Sequence, residues 1–286
     1  MSFISVIIPF YNVETYIGAC LEGLYKQIAP SMPYEIILID NNSTDTSASI
    51  ASRFPQAILL SEPRQGAYAA RNRGLKAAKG DIMAFTDPDC VPAEDWLTTI
   101  ETTMASTDVD IVVGSHSAPG TYRALTLFAA HREARNEYIF TSSDPMLYYG
   151  LCNNMVIRKS VFESSGDFEE NLRGSDTRLV RKYLDSHHCD SVRYVERLSV
   201  RHKETESLRG QLHKLYVHGD NAMNVNNTGD QLGRDLNRVE RNKVIWAAVE
   251  KKALGPFGIV YFFLLLLLGR VFWTAGAMSR RLKNRE

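Results

Sequence analysis

The chain has 286 residues, and 33 basic side chains balance 33 acidic ones, so its formal net charge is zero and no global field draws it toward nucleic acid. A hydrophobic content of 44% over this length suffices for one large domain, or one domain with an appendage. Cys20, Cys90, Cys152 and Cys189 are scattered, with no C-x-x-C pair, which argues against a structural zinc site and fits reduced thiols in a cytosolic setting.

No basic region, apolar run and cleavage site precede the first strand-like segment, so the expectation is a domain that is not exported. That segment, residues 4–9 (ISVIIP), is nearly continuous in β-branched residues, as a central parallel strand covered on both faces would be. After Phe10, Tyr11 and Asn12, a helical stripe of Tyr16, Ile17, Cys20, Leu21 and Leu24 runs until Pro30 and Pro33. Residues 34–40 repeat the buried-strand pattern and end in Asp40, followed by the polar run 41–45 (NNSTD), rich in helix N-cap candidates. A third unit takes residues 57–61 and then 66–79. The fourth strand, residues 81–86 (DIMAFT), ends in Asp87-Pro88-Asp89. Strands alternating with helices predict a Rossmann-like, mostly parallel α/β sheet with helices on both faces.

In such sheets ligands bind beyond the carboxyl ends of the strands. Pro9, Phe10 and Tyr11 fall on that rim, as do Asp40, Asp87 and Asp89. Pro88 lacks an N–H and forces the chain to turn. Two readings of Asp87 and Asp89 stand: an Asp-Pro turn before the helix near Glu94, or two acids held together by a divalent cation. The helix over 66–75 starts with small residues, Gly66 and Ala67, that admit a ligand closely, with Arg71 near the rim and Arg73 read as a solvated helix charge.

From residue 110 the pattern loosens. Residues 110–114 read as a strand, 122–140 as an amphipathic helix, and 151–157 as a strand headed by Asn153 and Asn154, either turn-formers or sugar contacts. Asp176 opens a helix over 176–184, where it serves as an N-cap or as a general base. Short strands follow around 192–200, then His202, a helix over 208–223, and a polar linker over 224–235. Residues 253–278 are apolar except for Arg270 and are flanked by basic residues, which points to membrane association, either spanning or interfacial.

Residues 5–12 (SVIIPFYN), 37–45 (ILIDNNSTD), 69–74 (AARNRG), 80–90 (GDIMAFTDPDC) and 166–177 together resemble the family 2 glycosyltransferases of the GT-A fold, in the family's own order. The resemblance covers roughly residues 3–205. It implies inverting transfer of a sugar from a nucleotide diphosphate sugar, most often UDP-linked, to an acceptor hydroxyl, assisted by Mg2+ or Mn2+. It assigns Pro9, Phe10, Tyr11, Asp40, Arg71 and Asp87 to the nucleotide, Asp89 and His202 to the metal, and Asp176 to the base. The family usually has Glu-Asp at the last motif, whereas this chain has Ser175-Asp176.

The expected layout is a GT-A domain over 1–205, a polar helix and linker over 206–252, an apolar membrane-associated segment over 253–278 and a basic tail over 279–286. The expected setting is the cytoplasmic face of the cell membrane, with a glycan or lipid-linked acceptor and no nucleic acid partner. A sugar-1-phosphate nucleotidyltransferase would need a Gly-rich, Arg-containing loop after the first strand, where this chain has residues 9–14 (PFYNVE). A membrane-tethered, non-catalytic nucleotide-sugar-binding protein would be marked by loss of Asp89 or Asp176, and both are present.

Overall fold

All seven residues of β1 (Ile4–Phe10) are buried, which a run of Ile and Val reaches only when both faces of a sheet are covered. On one side β1 pairs in parallel with β2 (Tyr34–Asp40), which pairs with β3 (Ile58–Ser61); on the other it pairs in parallel with β4 (Ile82–Thr86). The helices α1 (Ile17–Tyr25), α2 (Ser47–Ala51) and α3 (Ala67–Ala77) make the connections. α1 buries Ile17, Cys20, Leu21 and Leu24, the single stripe expected of a helix laid on a sheet. α3 approaches so closely at Gly74 that a Cβ there would lie 2.6 Å from Ile7 Cγ2.

The coordinates are a computed structural model that describes residues 2–117, 122–170, 173–226 and 234–283. Parts of three expected segments lie outside the described residues: 227–233 of the linker, 284–286 of the basic tail, and 171–172 of the last motif.

The chain continues through β5 (Cys90–Pro92), α4 (Trp96–Met104), β6 (Ile111–His116), α5 (Arg123–Phe140), β7 (Asn154–Arg158), α6 (Lys159–Ser165), α7 (Ser175–Leu184) and β8 (Val192–His202). Among the described residues the strand order is β3-β2-β1-β4-β7-β6-β8-β5. The expected mostly parallel sheet is found, with β1 to β4 parallel and β6 parallel to β8, and antiparallel pairs enter it through β7 and β5. β7 is antiparallel to both β4 and β6, and β5 is antiparallel to β8. Strands and helices still alternate along the chain from β5 to β8, but an antiparallel neighbour needs no crossover, so the alternation there does not fix the strand direction. The short strands expected around 192–200 are one strand, parallel to β6, with a register shift at Gly114/Ser115.

Two compact units result. One comprises Met1–His116 with Ser142–Lys203, and the other Ser117–Thr141 with Glu204–Glu286. The division in space therefore departs from the linear one, because α5 groups with the C-terminal helices. In that second unit α8 (Leu208–Asn226), α9 (Arg238–Lys251) and α10 (Pro256–Lys283) follow, with α8 packed along α10 and α5 against α9. A capping box sets the start of α9: the Asn237 side chain accepts from the Val239 and Glu240 backbone N–H groups, and Glu240 reaches back to the Asn237 N–H.

Candidate active site

The register that sets Phe10 opposite Asp40 brings the carboxyl ends of β1 and β2 side by side, and β4 ends on the other flank of β1. A cleft of about 290 Å³ opens beyond these ends. Its walls are Pro9, Phe10, Tyr11 and Val13 after β1, Asn41 after β2, Gln65, Ala67 and Arg71 around the start of α3, and Asp87, Pro88 and Asp89 after β4. Six of the residues assigned from sequence thus meet in one place: Pro9, Phe10, Tyr11, Arg71, Asp87 and Asp89.

Side chains brace the loops around this cleft. Asn12, with φ of 47°, accepts from the Thr44 backbone N–H at 2.8 Å, and Val13 N donates to Ser47 Oγ at 2.8 Å. These bonds tie the turn after β1 to the turn after β2. Asn41 donates to the Glu62 and Arg64 carbonyls and accepts from Gly66 N at 2.7 Å, which fixes the approach to α3. Asp40 does not line the cleft. It stands at the end of β2, where its Oδ1 accepts from Ser43 N at 3.0 Å.

Arg71 is buried, whereas Arg73 is exposed. The Arg71 guanidinium meets Asp87 Oδ1 at 2.7 Å and lies over the Tyr68 ring, 5.2 Å from its centroid. A guanidinium held this way in the wall of a cleft, with a buried Nε that has no partner among the described residues, suits a phosphate.

Asp89 and His202 are far apart in sequence but adjacent in space, because β5 pairs with β8 and sets Cys90 opposite His202. Lys203 N donates to the Asp89 carbonyl at 2.8 Å, which closes the pairing. His202 Nε2 lies 3.4 Å from Asp89 Oδ2, and the two side chains are only 6% and 14% exposed. Asp89, Cys90 and His202 offer ligand atoms within 4.8 Å of one another. Burial pushes the Cys90 thiol pKa up, and Asp89 and Asp87 push it further, so the sulfur stays protonated and donates to Asp89 Oδ1 at 3.5 Å. One carboxylate and one imidazole side by side are a donor set that fits Mg2+ or Mn2+. The His116 ring stands 6.1 Å from that of His202, a neighbour the sequence reading missed.

Asp176 sits in the first turn of α7. It was expected as the N-cap, but Gly174 takes that position in a left-handed conformation with φ of 73°. The Asp176 carboxylate accepts from Tyr68 Oη at 3.0 Å, Thr177 N at 2.9 Å and Cys152 N at 3.2 Å. Burial raises its pKa above the ordinary 3.8, against the opposing pull of Arg71 and of those hydrogen bonds. A Cβ on Gly150 would fall 2.6 Å from the Asp176 backbone, so the neighbouring loop meets the first turn of α7 without a side chain between them. Ser175 is buried, and its Oγ accepts from Glu169 N at 2.6 Å; the residue in place of the usual acid closes the loop before α7.

Asn153 and Asn154 part company. Asn154 is fully buried, accepts from Trp96 Nε1 at 2.9 Å and donates to the Ser115 and Leu198 carbonyls at 2.8 Å each. Its polar atoms serve the core, which corrects its reading as a sugar contact. Asn153 lies beside the end of β4, where its carbonyl accepts from Thr86 Oγ1 at 3.1 Å. Its side-chain oxygen is shielded and has no partner among the described residues. Tyr68 is the main residue missed from sequence. The signal available was one large aromatic in a run of alanines, three residues before Arg71.

Residues 5–165 match the sequence profile of Glycosyl transferase family 2. Glycosyltransferase AglE of Haloferax volcanii is 33% identical over 192 residues, 65% of this chain and 62% of that protein. Glycosyltransferase GlyG of Streptococcus pneumoniae is 34% identical over 118 residues, 40% of this chain and 38% of that protein. The chain therefore spans less than two thirds of the length of these curated relatives. Among solved structures, the mannosyltransferase PcManGT from Pyrobaculum calidifontis, in complex with GDP-Man and Mn2+, shares the fold with a TM-score of 0.68 at 18% identity, over 99% of this chain and 88% of that one. TarS 1-349 of S. aureus, in complex with UDP, gives a TM-score of 0.56 at 16% identity, over 99% and 92%.

Proposed function

The chain belongs to glycosyl transferase family 2, and on that premise we propose that it moves a sugar from a nucleoside diphosphate sugar to an acceptor hydroxyl with inversion at the anomeric carbon. The observation that carries this reading is the pairing of two features on one rim: Arg71 held by Asp87, and Asp89 held beside His202. One offers a fixed cation to a phosphate, and the other offers a carboxylate and an imidazole to a divalent ion.

In the proposed reaction the residues 9–11 line the nucleotide and Asp87 orients Arg71 beside the diphosphate, while Asp40, outside the cleft wall but opposite Phe10, accepts from a base that extends past that wall. Asp89 and His202 would hold Mg2+ or Mn2+, which supplies positive charge to the departing diphosphate. The acceptor oxygen attacks the anomeric carbon as the bond to the diphosphate breaks, and its proton passes to Asp176. A carboxylate whose pKa is raised by burial takes that proton more readily than an ordinary Asp. Asn153, beside the end of β4, is assigned to the donor sugar, which its partnerless side-chain oxygen supports.

One relative in fold is solved with GDP-Man and Mn2+ and another with UDP, so both bases belong in a donor screen, with UDP-linked sugars first. α10 is long and apolar enough to engage a membrane, which supports a lipid-linked or cell-surface glycan acceptor at the cytoplasmic face. The test is nucleotide release from a panel of nucleotide sugars with Mn2+, with and without membrane lipid extract. Release from one donor, stimulated by lipid, is expected; no release from any donor would contradict the reading.

A further inference from the structure

We propose that α10 does not cross the bilayer but lies in the plane of an anionic leaflet, with one apolar face in the lipid. This deepens the membrane reading above and rests on it. Phe257, Val260, Leu264, Leu267, Val271 and Met278 recur at helical spacing and are all exposed, Phe257 at 93%. They form a stripe along most of a 28-residue helix. Two cations stand over aromatic rings on this helix: Arg123 over Tyr261 at 5.7 Å and Arg270 over Trp273 at 5.6 Å. Guanidinium groups stacked on rings at the border of an apolar stripe suit the headgroup level.

Length does not separate spanning from lying flat, because a helix of this size does either. The opposite face does separate them. A Cβ on Gly219 of α8 would overlap the Trp273 carbonyl, and one on Gly276 of α10 would overlap the Tyr216 carbonyl, so the two backbones touch. α8, which packs along α10, carries Lys214, His218 and Asp220. A spanning α10 would drag those groups into hydrocarbon, where charges are costly. Lying flat leaves α8 on the water side.

The charge pattern selects the surface. α10 contains Arg270, Arg280, Arg281 and Lys283 and no acidic residue. Anionic headgroups match that pattern, whereas a second copy would set like charges against each other.

The experiment uses the full chain carrying Cys189→Ser, Gly255→Cys and Ser279→Cys, reconstituted by detergent removal into sealed vesicles of phosphatidylcholine with phosphatidylglycerol. Cys20, Cys90 and Cys152 are buried, and a Cβ at Gly255 meets no atom within 4 Å. After a membrane-impermeant maleimide, mass spectrometry counts labels per molecule. Molecules labelled at both new cysteines or at neither are expected, because both ends lie on one side. Molecules labelled at only one would show a spanning helix and overturn the proposal. A Leu264→Asp, Leu267→Asp variant should lose binding to these vesicles about tenfold while keeping nucleotide-sugar turnover in detergent. Binding unaffected by that variant, or equal on pure phosphatidylcholine, would count against the proposal. Failure of the unsubstituted chain to bind any vesicle would sink the membrane reading with it, and a dimer under those conditions would name a second copy as the occupant.

Discussion

The Tyr68 hydroxyl donates to Asp176 Oδ1 at 3.0 Å, and the same Tyr68 ring carries the Arg71 guanidinium. Tyr68 thus joins the acid proposed to take the acceptor proton to the cation proposed to hold the diphosphate. It touches neither reacting atom in this account and acts as a positioning residue. Tyr68→Phe keeps the ring but removes the hydrogen bond that favours ionised Asp176. It should lower kcat about tenfold, equivalent to ~1.4 kcal/mol in the barrier, with little change in donor KM. It should also move the acid limb of the pH profile upward. A purely structural role would leave that limb in place.

The pH dependence follows from the sign of the Asp176 shift. The base works only when ionised, and burial raises its pKa above the ordinary 3.8. Log kcat/KM should therefore fall as pH drops through a value raised above the ordinary 3.8. For stability the sign is reversed. The fold favours the protonated carboxyl, so this group's contribution is present at low pH and is lost as pH rises through the raised pKa. A kcat/KM profile flat down to the ordinary Asp range would exclude Asp176 as the base.

Asn153 and Asn154 provide a matched pair. Asn154→Ala would strand the Trp96 N–H and two carbonyls in the core, and should destabilise the fold by about 3 kcal/mol. Asn153→Ala removes a side chain whose oxygen is bound to nothing among the described residues. It should leave the melting temperature within error and raise the donor KM. Thermal unfolding and donor kinetics on both variants check the distinction.

At the metal position, Asp89→Ala and His202→Ala should each weaken Mn2+-dependent nucleotide binding by roughly tenfold or more, as expected from losing one ligand of a divalent ion. Calorimetric titration of nucleotide with and without Mn2+ measures this directly. Metal dependence unchanged in Asp89→Ala would remove the residue from that role.

The first half of the fold was legible because β1, β2 and β4 are largely apolar runs whose carboxyl ends, near Pro9, Asp40 and Asp87, could be set on one rim although their spatial order is β2-β1-β4. Past residue 110 that link fails. The meeting of Asp89 with His202 depends on β5 pairing antiparallel with β8, and a three-residue strand leaves almost no periodic trace. Asn154 read as a polar strand start because a sequence cannot show that Trp96, Ser115 and Leu198 converge on it. The amphipathic stripe expected for α5 is not found, because Leu125, Leu127, Phe128 and Ala130 bury more than one of its faces, and only packing assigns it to the second unit. Ser175 looked like a lost acid, whereas its hydroxyl holds the Glu169 backbone.

The most direct test of the central claim compares Asp176→Asn with the unsubstituted protein in two assays on one nucleotide sugar: calorimetric donor binding with Mn2+, and sugar transfer to acceptor. Because Asp176 does not itself line the diphosphate cleft, donor affinity is predicted within about twofold of the unsubstituted protein, with transfer reduced by about 10²-fold or more. Full turnover by Asp176→Asn would contradict the account.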